Sequence, residues 1–250
     1  MPNALIRDPT TQLPADFSAG FLAPMGEIDG LELSWVSAAS ISVSSGSCYI
    51  PSLGYVVQSN STVTLTGLTT TASTWYHVYL FMSGTTPTIE CVTTAPAAPY
   101  SGVARAKTGD TSRRYLGSVR SLAANTLMKF SQCGNKVSWY ENIQNTNLLL
   151  VSAGTATTAT TLSCTSGVPV TAKLATLSLY NSSTTSVVWL NNADCNFALG
   201  IGGNFLQIVG QQASFGGDFP ISAAYGINYM YNATTGSGVN ISICGYVYER

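Results

Sequence analysis

The run Trp75–Phe81, WYHVYLF, is bulky on both of its faces. In an extended chain successive side chains point to opposite sides. That puts Trp75, His77, Tyr79 and Phe81 on one face and Tyr76, Val78 and Leu80 on the other. Such a strand cannot leave a side in water, so it must be central and covered twice. A fold for this chain therefore has to stack layers around it. Ile89–Val92 is the expected partner, across a Ser83–Thr88 turn that holds Gly84 and Pro87.

The rest reads as short strands between turns. Leu31, Leu33 and Trp35 alternate with Glu32 and Ser34, the period of a half-buried strand. Ile41–Val43, Tyr49–Ile50, Val56–Val57 and Val63–Leu65 follow. Later candidates are Lys129–Gln132, Lys136–Glu141, Asn147–Val151, Val170–Tyr180, Val187–Leu190, Phe205–Val209, Tyr225–Tyr231 and Val239–Tyr248. This turn spacing suits a β-sandwich or jelly roll, and no repeat of fixed period is present. Ser121–Leu127 carries helix formers but lies between strands. Ser152–Thr161 consists of small residues and reads as a flexible or lattice-contact loop. Residues 1–30 are punctuated by Pro2, Pro9, Pro14, Gly20, Pro24, Gly26 and Gly30, the pattern of an extended arm that would dock on a neighbour.

Charge is scarce. A folded monomer of 26.2 kDa exposes about 10,600 Å², and 10 basic plus 11 acidic residues must serve it. That is roughly one charge per 500 Å², against near one per 170 Å² at ordinary composition. Either Ser, Thr, Asn and Gln carry the solubility or an oligomer hides much of the surface, and both are expected. Between Glu141 and Glu249 stand only Lys173, Asp194 and Asp218. The net charge of −1 argues against a nucleic-acid partner. With no run of eighteen apolar residues, membrane insertion is not expected. The N-terminus lacks the apolar core of a signal peptide, so the six cysteines are expected as reduced thiols. None is spaced as a C-x-x-C knuckle.

His77 is the only histidine, so a catalytic triad would need it as base. Inside an aromatic strand it reads as a packed residue, and a ring of three His77 on a three-fold axis is the one histidine metal site open to it. Glycan cleavage would need two carboxylates; the second half offers Glu141, Asp194 and Asp218 before Glu249, and Asp194 and Asp218 are the candidate pair. Gly200–Ile201–Gly202–Gly203 lacks the third glycine and the βαβ context of a dinucleotide loop and reads as a hairpin turn. No catalytic residue, metal ligand or cofactor is assigned. The segment Phe215–Tyr231, FGGDFPISAAYGINYMY, reads as an exposed recognition loop, with Asp218, Phe219, Phe215 and Tyr225 as receptor contacts.

Downstream of the aromatic strand come a Thr93–Tyr100 loop and the basic cluster Lys107, Gly109, Asp110, Arg113 and Arg114. Together with DGLELSWVSAASISVSSGSCYIPSLG at Asp29–Gly54, this resembles tail-fibre and receptor-binding proteins of tailed bacteriophages over roughly residues 29–120. The resemblance implies a virion protein of the tail, assembled in the host cytoplasm. Its partners would be other tail or baseplate proteins and a host-surface receptor, glycan or protein. In this light Arg105, Lys107, Asp110, Arg113 and Arg114 form a structural charge cluster, with Asp110 placed to pair with an arginine. The expectation is an all-β homotrimer of two β-sandwich or jelly-roll-like domains. An arm at 1–30 and a first domain at 31–121 attach to the virion. A connection at Ser121–Thr126 then leads to a receptor-binding sandwich at 127–250. Alternatives are a head-decoration or other structural virion protein, and a glycan-cleaving tail enzyme.

Overall fold

The computed structural model describes residues 25–200, 205–210 and 212–250. The described chain is all-β, with a sandwich-like arrangement of antiparallel sheets and no helix. The strands before the aromatic run are β1 (Ile28–Gly30), β2 (Leu33–Ser37), β3 (Ser40–Val43), β4 (Gly46–Ile50), β5 (Tyr55–Ser59) and β6 (Val63–Leu65). Next come β7 (Trp75–Ser83), β8 (Thr86–Val92), β9 (Ala106–Lys107), β10 (Asp110–Ala123) and β11 (Thr126–Leu127). The remainder are β12 (Phe130–Cys133), β13 (Lys136–Trp139), β14 (Leu149–Gly154), β15 (Thr160–Ser163), β16 (Ala172–Asn181), β17 (Val188–Asn192), β18 (Leu206–Ile208), β19 (Ser214–Pro220), β20 (Gly226–Tyr231) and β21 (Val239–Tyr248).

The aromatic strand behaves as its two bulky faces require. β7 is buried from Tyr76 through Leu80 and lies between β8 and β10 in a sheet ordered β11-β10-β7-β8. Its hairpin with β8 runs from Ser83↔Thr86 to His77↔Val92. Gly84 turns it at φ +63°, a left-handed conformation that glycine adopts without steric cost. The sheet packs through β10 on a second one, ordered β19-β16-β21-β13-β12-β2-β3-β6 with β14 also on β21. The Tyr246 hydroxyl donates to the Ser118 carbonyl at 2.8 Å and the Tyr248 hydroxyl to the Leu116 carbonyl at 2.7 Å. Between these contacts a Cβ on Gly117 would stand 2.7 Å from Leu33 Cδ1 and 2.8 Å from the Tyr248 hydroxyl oxygen, so the sheets close only because a glycine is there. Tyr115 packs edge-on against Tyr248 at 6.2 Å and Trp75 against Tyr246 at 6.1 Å, continuing the core across the seam. Two smaller sheets, β15-β20-β17-β18 and β1-β4-β5, complete the fold.

Several expectations need correcting. Ser121–Thr126 is no connection: β10 runs through Ala123 and turns at Ala124–Asn125 into β11. Asn125, in the left-handed region at φ 56°, makes that turn, and its Oδ1 accepts the Thr70 amide. The largest sheet takes β2, β3 and β6 from one side of this point and β12, β13, β14, β16, β19 and β21 from the other. The proposed parts 31–121 and 127–250 thus share one sheet and one hydrophobic core. Ser152–Thr161 contributes to β14 and β15 and is not wholly a loop; its small residues fit because both strands pair along an edge. Of the arm, Ile28–Gly30 is a strand paired with β4. Residues 1–24 lie outside the described residues, as do 201–203 of the expected glycine hairpin turn.

Candidate functional site

β19 holds most of the expected receptor contacts, and it is a strand where a loop was expected. It pairs along its length with β16, Thr176 facing Asp218 and Leu179 facing Phe215, and forms one end of the largest sheet. Phe215, Gly217 and Phe219 share the inner face, while Gly216 and Asp218 look outward. The glycines hide this two-residue period from a reading of hydrophobicity. Phe219 is 3% exposed and packs edge-on against Phe205, so it is core rather than recognition surface. Lys136 Nζ donates to both carboxylate oxygens of Asp218 at 2.8 Å, and the Thr176 hydroxyl donates at 2.6 Å. Partial burial pushes the Asp218 carboxyl up, but these hydrogen bonds and the Lys136 charge outweigh it and hold the group below its usual value. A glycosidase acid needs the opposite shift. Asp194 Oδ2 accepts the Ala223 amide at 2.6 Å.

Tyr225 is brought to a different place. It sits in the turn before β20 at φ 60°, a left-handed conformation that costs an aromatic residue on the order of 1–3 kcal/mol. The turn is over-determined. The Tyr225 amide donates to the Ser222 carbonyl at 2.8 Å and the Gly226 amide to Ser222 Oγ at 2.7 Å. The Tyr225 hydroxyl donates to the Val170 carbonyl at 2.7 Å. This fixes the tyrosine over a cleft of about 370 Å³ lined by Arg105, Thr171, Lys173, Ser222 and Tyr225, with Val170, Ala172, Ile221 and Ala223 between them.

One carboxylate serves two cations at this cleft. Arg105 Nη2 lies 3.0 Å from Glu249 Oε2 and Lys173 Nζ 3.3 Å from Glu249 Oε1. Arg105 is anchored further by Nη1, which donates to the Ala97 carbonyl at 3.1 Å, whereas the Lys173 side chain is 60% exposed. From Thr171 a buried chain of hydroxyls leads inward. Tyr115 Oη lies 2.8 Å from Thr171 Oγ1, Ser118 Oγ 2.7 Å from Tyr115 Oη, and His77 Nδ1 2.8 Å from Ser118 Oγ. His77 is 3% exposed and burial lowers its pKa to about 4, so the ring is neutral at ordinary pH. Held by Ser118 inside the core, it has no access to a symmetry axis, and the three-histidine metal ring falls away. Among the described residues no group of three or more His, Cys, Asp or Glu is placed to hold a metal ion, and no helix is long and apolar enough to cross a membrane.

The remaining basic residues divide by burial. Glu90 takes Lys107 at 2.9 Å and Arg113 at 3.5 Å, and the Arg113 guanidinium lies 3.8 Å from the Phe81 ring centre. Asp110 does pair with an arginine, at the long distance of 3.9 Å from Arg113 Nε. It also accepts the Ser112 hydroxyl and amide, and these bonds above all hold its carboxyl below the usual range. Arg114 is fully buried and spans chain segments, donating to the carbonyls of Arg105 at 3.2 Å and Gly26 at 3.4 Å. Phe215 lies apart from Tyr225, in a shallow trough of about 440 Å³ where Leu206, Ile208, Val209 and Ala213 alternate with the polar Gln207 and Ser214. Phe205 and Val209 are 54% and 55% exposed.

The sequence reading missed Thr171 and Ser222 as lining residues. Lys173 did carry a signal, as the only basic residue between Glu141 and Glu249. No family model matches the chain, and neither a curated protein nor a solved structure matches it.

Proposed function

We propose that the chain is a bacteriophage virion protein of the tail-fibre or receptor-binding type, assembled in the host cytoplasm, that attaches the particle to a host-surface receptor. The observation that carries this reading is the similarity of Trp75–Arg120, with its aromatic strand, Thr/Pro/Ala loop and Lys107–Arg114 cluster, to the tail proteins of tailed phages. The geometry is compatible with it. The charge cluster is used for internal ion pairs and carbonyl contacts, the structural role the resemblance implies. The cleft beneath Tyr225 offers the receptor a rigid aromatic edge and several polar groups. The chain acts as a homotrimer bound to other tail or baseplate proteins, and the exposed Phe205 and Val209 side chains serve contacts between copies. Modest individual affinities are then multiplied by valency. Electron microscopy of the particle with this protein labelled tests the proposal. Label at the distal tail supports it, and label spread over the head identifies a decoration protein instead.

A further inference from the structure

Resting on that reading and deepening it, we infer that the Tyr225 cleft binds a sugar that carries a carboxylate. Three observations lead there. Arg105 and Lys173 share the carboxylate of Glu249, which is the one acid in ion-pair contact with either cation among the described residues. Asp194, the acid bonded to the lining residue Ala223, accepts that amide through Oδ2 and forms no ion pair with Arg105 or Lys173. Lys173 is the loosely held member of the pair, at 3.3 Å from Glu249 and largely exposed, so its ammonium is free to take a second anion.

The rest of the cleft selects the body of the ligand. At about 370 Å³ it has the size of a small-molecule site and suits one or two sugar rings. The Ser222 hydroxyl oxygen accepts the Gly226 amide, and its own proton meets no acceptor among the described residues, which leaves a donor at the wall. Tyr225 presents its ring while its hydroxyl is tied to Val170, so the ring is pre-set before a ligand arrives. A rigid ring loses little entropy on binding. The left-handed backbone at Tyr225 is stored strain of the kind kept at ligand sites, and three hydrogen bonds maintain it. An aromatic edge, hydroxyl partners and an exposed ammonium that shares its carboxylate with Arg105 together describe an acidic saccharide better than a neutral one.

Calorimetric or NMR titration of the full chain with a uronic-acid disaccharide, the matching neutral disaccharide and inorganic phosphate tests this. The expected result is saturable binding of the acidic sugar, at least tenfold weaker binding of the neutral one, and a tenfold loss with Lys173→Ala. That variant leaves Arg105 and Glu249 paired, so folding is preserved; Lys173→Arg restores affinity. Equal binding of the two sugars, no binding of either, or an unchanged Lys173→Ala variant overturns the inference. Phosphate competing as well as the sugar acid shows a simple anion site and overturns the saccharide part. If the sugar binds as expected while Lys173→Ala particles adsorb normally, the ligand site stands and the host-attachment reading fails.

Discussion

Acidification should weaken the fold through His77, and one substitution isolates the effect. The ring is 3% exposed, touches Ser118 through Nδ1, and has its pKa lowered by burial from 6.5 to about 4. In the unfolded chain the imidazole gains a proton as pH falls through its ordinary value, while the folded protein keeps it neutral until about pH 4. The unfolded state therefore binds more protons in this window. The stabilisation is complete above pH 6.5 and is lost progressively as pH falls toward 4. The gap between the two values corresponds to about 3 kcal/mol. Asp110 and Asp218, whose carboxyls are held low, lose their own contributions at still lower pH, and do so equally in any His77 variant. Urea unfolding followed by tryptophan fluorescence at pH 7 and pH 4 measures the difference. Wild type should lose about 3 kcal/mol more than His77→Gln over this interval. The same pH dependence in both proteins would refute a buried neutral histidine.

Phe219→Ala should destabilise the fold by about 3–5 kcal/mol in the same assay, since it empties a core position. Asp218→Ala should change stability by no more than about 1 kcal/mol, because the Lys136 pair is partly exposed. The reverse order would put β19 out of place. Gly117→Ala should cost about 1–3 kcal/mol by pushing Leu33 and Tyr248 apart, and an unchanged midpoint would contradict the close seam between the sheets. Light scattering should give three times the chain mass; a monomer at all concentrations rejects the trimer.

The local architecture was legible where side-chain period and bulk agree. Trp75–Phe81 is crowded on both faces, and its burial between two strands follows from that alone. Val239–Tyr248 alternates residues that face two layers, and β21 duly sits inside the largest sheet. β19 was misread because Gly216 and Gly217 interrupt the hydrophobic pattern although the alternation of faces continues through them. The hairpin at Asn125 was misread because a short turn carried by a left-handed asparagine looks, in sequence, like a linker. The cleft could not be read locally: Arg105, Lys173, Tyr225 and Glu249 lie far apart along the chain and meet only through tertiary packing. The unusual backbone of Tyr225 has no signature in its neighbours SAAYG. The solitary Lys173 in a charge-poor stretch was the one available pointer.

Adsorption competition tests the central claim most directly. Host cells are incubated with the purified full chain before the phage is added, and the fraction of particles adsorbed is counted. The account predicts a dose-dependent block by the wild-type protein, at least tenfold weaker for Lys173→Ala. Undiminished adsorption at saturating concentrations of correctly folded, oligomeric protein would contradict it.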